Sequence, residues 1–259
     1  MPNHKKNKIK MIKKIFYLFL ICLSCNNIFG QEPIQTDRPD QTEGVFIVPK
    51  NYLQIESGFN LEKNKNTENT YFLPTTLLKF GLCKNFEFQT EINAFSSEER
   101  KYGILPISLG FKLNLLKEKG VLPEIALIGR FMFKDLATNQ FKGKENLPMF
   151  RFSFQNTITD KFSIGYNLGM QWEENVSKPS YVFTLSNGYA ISDSFSIFAE
   201  IFNSTNEKKN KQIVDVGFVK QLNDNFILDF AIGKHFNNEE QDFYALIGFT
   251  TRFNLNKRK

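Results

Sequence analysis

From Tyr52 to the C-terminus the apolar residues recur at every second position, with no 3.6-residue period, so the chain predicts strands throughout. Twelve segments can be read: Tyr52–Leu61, Tyr71–Leu82, Phe86–Phe95, Leu105–Leu116, Val121–Phe133, Leu147–Ile158, Phe162–Trp172, Ser180–Ala190, Phe195–Phe202, Ile213–Gln221, Phe226–His235 and Phe243–Phe253. Most run nine to thirteen residues. Strands of soluble domains cluster near 5–6 residues, whereas a strand tilted across a bilayer needs about 9–11.

The two faces of these strands differ. On five segments the alternate residues starting at Phe86, Ile107, Phe162, Phe226 and Phe243 make a set of 26 without a charge. Their neighbours include Glu87, Gln89, Glu91, Lys112, Asn114, Asn167, Asp229 and Arg252. A charge facing lipid near the midplane costs roughly 2–4 kcal/mol, so a bilayer enforces this segregation.

The connections separate a membrane barrel from a soluble sandwich. Short links follow the even-numbered segments: Cys83–Asn85, Lys117–Gly120, Thr159–Lys161, Ile191–Ser194 and Leu222–Asn225. Longer, more charged links follow the odd-numbered ones: Glu62–Thr70, Ser96–Ile104, Lys134–Asn146, Glu173–Pro179, Asn203–Gln212 and Phe236–Asp242. Strict alternation is the habit of an up-and-down barrel with short periplasmic turns and longer outer loops. Backbone groups cannot stay unpaired in hydrocarbon, so Phe243–Phe253 should close against Tyr52–Leu61. The expected fold is all-β: an up-and-down antiparallel transmembrane β-barrel of about 12 strands, both termini periplasmic.

Charge sharpens this picture once the first thirty residues are set apart. The chain has 259 residues, Lys+Arg 33 and Asp+Glu 27, a formal +6. Residues 1–30 hold six lysines and no acid, leaving 27 basic groups against the 27 acids. A neutral mature chain offers no patch for displacing counterions from nucleic acid. Lys13 and Lys14, the 11-residue apolar run Ile15–Cys25 and Gly30 before Gln31 form a secretory signal peptide over residues 1–30. Met11 could serve as the start. Lipid modification at Cys25 is the alternative processing, though Cys22-Leu23-Ser24 suits it poorly. Residues 31–50 then precede a barrel over 51–253, and 254–259 form a polar tail. Beyond the leader no apolar run reaches the roughly 18 residues of a spanning helix. Cys83 and His235 are the single mature cysteine and histidine, so neither a disulfide framework nor a His-rich metal site is expected.

The opening of the mature chain, Thr36-Asp37-Arg38-Pro39-Asp40-Gln41-Thr42-Glu43 followed by Val48-Pro49-Lys50-Asn51-Tyr52 through Phe59, carries a resemblance. So do Gly81–Phe88, Asp215-Val216-Gly217 and Asn225–Asp229. These segments resemble an exported, transporter-like family of Bacteroidetes-type bacteria labelled MetA-pathway of phenol degradation, over most of residues 34–253. Gln41 stands where that family commonly has an aromatic residue and Asn51 where it has glycine; asparagine tolerates the same left-handed backbone. The resemblance implies an outer-membrane barrel handling small molecules.

The inward charges are the candidate site: Lys79, Glu87, Glu91, Lys112, Glu124, Arg130, Arg151, Asp215, Asp229 and Arg252. As a conduit they would bias which solutes pass, as charged rings do in channels. Their mixed signs favour salt bridges between neighbouring strands. Twelve strands give a bore between packed eight-stranded barrels and open porins, so a narrow or plugged pore is expected. Residues 31–50, with Asp37, Arg38, Asp40 and Glu43, are either a lumen plug whose acids lie near Arg130, Arg151 or Arg252, or a periplasmic strap. Tyr52, Tyr71, Trp172, Tyr181, Tyr189 and Phe253 suit interfacial girdles, and Phe253 an assembly signal.

Solute passage is the expected function, ahead of a structural or adhesive barrel acting through its outer loops, with a lipid hydrolase last. Catalysis needs a base within reach of a nucleophile. His235 sits near the outer end of its strand and Ser194 and Ser196 near the opposite rim, so no enzyme and no cofactor are expected. The expected partners are outer-membrane lipids, small solutes and the barrel-assembly machinery, with no nucleic acid.

Overall fold

A computed structural model describes residues 34–65, 69–97, 102–236 and 241–256. The expected signal peptide, the Cys25 alternative and the last three residues of the expected polar tail lie outside the described residues. The strands are β1 (Tyr52–Asn64), β2 (Thr70–Cys83), β3 (Phe86–Ser97), β4 (Tyr102–Ile104), β5 (Ile107–Leu116), β6 (Glu124–Phe133), β7 (Leu147–Thr157), β8 (Phe162–Gln171), β9 (Ser180–Ser192), β10 (Phe195–Thr205), β11 (Asn210–Asn223), β12 (Phe226–His235) and β13 (Gln241–Asn254). All pairing is antiparallel between strands consecutive around the ring, with β3 pairing both β4 and β5, and β1 pairs with β13 from Tyr52↔Asn254 to Lys63↔Phe243. The ring is closed, as the edge argument requires. Among the described residues the helical structure is a single 3-10 turn, Asn139–Phe141.

The expected segment Leu105–Leu116 begins at Ile107 as β5, and the expected link Ser96–Ile104 contains the short strand β4; both pair with β3 and share one position around the ring, so twelve staves make the barrel. The break falls at Leu105-Pro106, because proline has no N–H to give the ladder. Leu105 still donates to the Asn93 carbonyl at 2.9 Å. The expected strand at Val121 begins instead at Glu124, after Pro123. Val121 is 93% exposed and stands in the turn, where Lys119 bridges Leu122.

The long links also shorten. Residues 203–212, expected as a loop, are mostly ladder: Ser204 pairs with Lys211 and Thr205 with Asn210, leaving Asn206–Lys209 as the turn. These outer rungs are polar, so an apolar period of two could not register them.

The two faces follow the alternation. Phe88, Leu168 and Ile247 lie on the outer surface, while Glu87, Gln89, Lys112, Asn167 and Thr250 are fully buried inside. Some inward positions are apolar instead. In β10, Ile197 and Ile201 face out, and Phe202 turns inward beside Glu200. Phe202 joins Val182, Ile213, Ala231, Tyr244 and Leu246 in an apolar cluster within the bore, with Phe198 packed against it.

The outer face yields a direct prediction. Ile247 is 56% exposed, with Phe59 and Phe230 at its rungs. Ile247→Lys should destabilise the barrel in lipid vesicles by roughly 2–4 kcal/mol, read from urea unfolding. A change within about 0.5 kcal/mol, the scale of ordinary surface substitutions, would show that this face does not meet hydrocarbon.

Candidate functional site: a plugged lumen

Ile34–Lys50 contains Pro39, Gly44 and Pro49 and forms neither strand nor helix. Its backbone therefore needs partners from elsewhere, and inward side chains of the wall supply them. The N–H of Asp37 donates to Glu56 (3.1 Å), those of Gln41 and Thr42 to the two oxygens of Glu200 (2.9 and 2.6 Å), that of Glu43 to Asn167 (2.8 Å) and that of Val48 to Glu87 (2.7 Å). Carbonyls are met likewise: Gln54 donates to Gln35 (2.7 Å), Asn167 to Glu43 (3.0 Å), Ser153 also to Glu43, and Asn114 to Val45 (3.3 Å). The segment crosses from β1 and β13 to β7–β10 and returns to the rim carrying the short turns. There Asn51, at φ 63°, turns the chain into β1. A side chain on Gly81 would overlap the Val48 and Pro49 carbonyl oxygens, so glycine lets the returning chain lie against the wall.

Charge fixes the segment in the bore. Asp37 accepts from Lys112 at 2.7 and 2.9 Å and from Lys79, which also pairs with Glu56 at 2.5 Å. The Phe46 ring lies 4.7 and 4.9 Å from the two ammonium groups, a cation–π floor beneath them. Glu43 takes the Arg130 guanidinium through both oxygens, one at 2.8 Å, with Arg151 3.6 Å away. On the opposite wall Arg38 donates to Asp229 at 3.2 and 3.3 Å. It lies over Gly58 and Gly248, paired across β1 and β13, where a side chain on either would overlap the guanidinium.

The three acids of the segment differ in environment. Burial would raise the Asp37 carboxyl, but Lys112 and Lys79 overcome it and hold it well below the usual range. Burial acts the same way on Glu43, and Arg130 and Arg151 again leave it low. Asp40 has Ser186 donating at 2.9 Å; burial and the neighbouring Glu200 push its carboxyl well above the usual range, with Asp215 adding to the rise.

Of the ten inward candidates, Lys79, Glu87, Lys112, Arg130, Arg151 and Asp229 meet the N-terminal segment. Glu91 accepts from Asn93 at 2.8 Å beside the outer cavity. Glu124 takes Asn114 and Lys117 at 2.5 and 2.6 Å, and Asp215 takes the Tyr244 hydroxyl at 2.5 Å. Arg252 lies apart from the segment's acids. It donates to Asn225 (3.3 Å) and the Asp224 carbonyl (3.2 Å), its guanidinium 5.4 Å from the Tyr52 ring centre. Tyr52 is thus an inward residue and not a girdle one. Pairing between neighbouring strands is represented by Lys79–Glu56; the other lumenal ion pairs named here run from wall to segment.

Sequence reasoning missed Glu56, Glu200, Ser186, Phe46 and Thr184, which accepts from the Thr42 hydroxyl at 2.7 Å, and set Asn167 on the polar face without a role. Period two places Glu56 and Glu200 inside, and an inward acid with no basic neighbour on its own strand was the available signal. His235 is buried, its ring edge against Tyr244, with both nitrogens lacking a hydrogen-bond partner among the described residues. Ser194 and Ser196 lie toward the opposite rim.

Two cavities flank the segment. One, of about 470 Å³, opens toward the long loops; the other, of about 370 Å³, opens toward the short turns. Arg38, Asp40 and Glu43 line both, so the partition between them is a few side chains thick.

This architecture recurs among solved structures. An outer membrane channel from Pseudomonas putida F1 matches with a TM-score of 0.64 at 9% identity, over 83% of this chain and 99% of that one. The NanC porin matches at 0.53 and 8% identity, over 76% and 98%. The CymD monoaromatic hydrocarbon channel matches at 0.50 and 9% identity, over 80% and 89%. No curated protein matches the chain in sequence. The fold is that of an outer-membrane β-barrel. Residues 36–253, which hold both the N-terminal segment and the barrel, match the family described as "Putative MetA-pathway of phenol degradation", and the chain belongs to that family.

Proposed function

We propose that the protein is a conduit for small solutes across the outer membrane, closed at rest by its own residues 34–48. The observation that carries this reading is the pair of cavities divided by Arg38, Asp40 and Glu43. A bore that is open from both rims down to one thin partition has the form of a gated path. The short turns, with the start of β1 and the end of β13 at the same rim, face the periplasm in this reading. The lumenal charges around the partition set which solutes pass. This reading assigns the barrel no catalytic step.

The similarity to a monoaromatic hydrocarbon channel and the phenol label of the family support solutes that are small and largely apolar. Leu105, Met132, Leu147, Met149 and Trp172 give such solutes an apolar surface in the outer cavity.

Deleting residues 34–44 while keeping Val45–Lys50 should raise single-channel conductance in planar bilayers several-fold. It should also admit larger neutral solutes in liposome swelling. Unchanged conductance in a correctly folded deletion would remove the plug from the account. Failure of every solute to pass would remove the conduit itself.

A further inference from the structure

Arg130 and Arg151 are held from the wall as well as from the segment. Arg130 donates through Nε and Nη2 to Gln89 at 3.0 and 2.8 Å, and Gln89 in turn donates to Glu87 at 2.7 Å. Arg151 donates to Gln171 at 3.2 Å. Both guanidinium groups therefore keep their orientation when Glu43 leaves. The contacts to Glu43 are unequal: Arg130 grips it through two nitrogens, whereas Arg151 stands 3.6 Å away. Arg151 is 9% exposed, and its buried Nε has no partner among the described residues. Here the wall holds a cation that the segment leaves incompletely satisfied.

The same pair lines the larger cavity, on the long-loop side. Beside the arginines one stretch of its wall is apolar, with Leu105, Met132, Leu147, Pro148, Met149 and Trp172, while Thr75, Glu91, Asn93 and Ser108 line the rest of the outer part. A forked cation pair beside an apolar stretch of the wall suits a ligand with a carboxylate at one end and a hydrocarbon body, because guanidinium groups bind carboxylates through paired hydrogen bonds.

We propose that Arg130 and Arg151 form an exchangeable carboxylate site, at which an organic monocarboxylate with an apolar body enters the outer cavity and displaces the Glu43 side chain. The proposal rests on the conduit reading for its purpose, since the displacement loosens the plug. The binding step itself does not require conduction. Glu43 is then an internal competitor, and removing it should tighten the site.

Trp172 is the only tryptophan in the chain and lines this cavity, so its fluorescence reports occupancy in the full-length refolded protein. Hexanoate should give a saturable response, while 1-hexanol and hexylamine of equal length should not. Glu43→Gln should lower the half-saturating hexanoate concentration about tenfold, and Arg151→Gln should raise it about tenfold, the range expected for gaining or losing one competing charged contact. A residue with only a structural role would not make Glu43→Gln bind more tightly. Heat-modifiable gel mobility confirms that each variant is a folded barrel. Equal responses to hexanol and hexanoate, weaker binding by Glu43→Gln, or no saturable response in wild type and Glu43→Gln alike would each overturn the site. A deletion of residues 34–44 that stays closed would remove the plug from the conduit reading and leave this binding test standing.

Discussion

Asp37→Asn will open the pore. Asp37 joins two fully buried lysines, and among the described residues it is the carboxylate paired with Lys112. Taking one partner from a buried ion pair costs about 3–5 kcal/mol, because the remaining charge keeps its desolvation penalty. Only the docked state bears that cost, since both ammonium groups rehydrate when the segment leaves the bore. At about 1.4 kcal/mol per tenfold, the ratio of open to closed forms should rise about 10²- to 4 × 10³-fold. Open probability in planar bilayers measures it. Lys112→Met combined with Asp37→Asn should recover part of the closure, a coupling that a double-mutant cycle resolves. An Asp37→Asn protein as closed as wild type would mean that this triad does not hold the plug.

The second large effect is on pH. Asp40 is held well above the usual carboxylate range by burial, by Glu200 and more weakly by Asp215 and Asp37, with Ser186 opposing the rise. In the released segment it returns to about 3.9. The docked state therefore keeps a proton that the released state has lost, and docking weakens as pH rises from about 4 to the raised docked value. The slope is at most about 1.4 kcal/mol per pH unit, or tenfold in the open ratio. Asp37 and Glu43 have the opposite sign. Their docked carboxyls are depressed, so their contribution is complete above about 4 and is lost as pH falls through their lowered values. Closure should be tightest just above pH 4 and relax toward alkaline pH. Asp40→Asn should flatten the alkaline limb and leave the acid limb intact. A pH titration of open probability checks both, and an equal alkaline slope in wild type and Asp40→Asn would exclude Asp40 as the titrating group.

The barrel was legible because hydrocarbon imposes a simple rule along every strand: Phe88, Leu109 and Phe230 alternate with Gln89, Lys112 and Asp229. The same rule fails where lipid is absent. The rungs Ser204–Lys211 and Thr205–Asn210 extend beyond the apolar zone and look like loop. Phe202 breaks the alternation because an apolar cluster inside the bore can bury it as well as lipid can. The inward charges could be named residue by residue, but their partners could not. Asp37 finds Lys79 and Lys112 on different strands, and Arg38 finds Asp229 near the other end of the chain. A segment without periodicity, ordered by side chains that distant rungs deliver, leaves no local signature. The acids of residues 34–50 pointed toward lumenal cations, yet Lys79 and Lys112 were not among the arginines singled out for them.

The plug continues directly into β1: Lys50 is followed by one residue in a left-handed turn and then by Tyr52 at the first rung. A blocker on so short a leash sees its receptor at an effective concentration of millimolar order. It cannot diffuse away, so resealing is unimolecular and independent of how much protein the membrane holds. In the conduit reading, openings are then brief, and a solute that competes for the segment's contacts lengthens them.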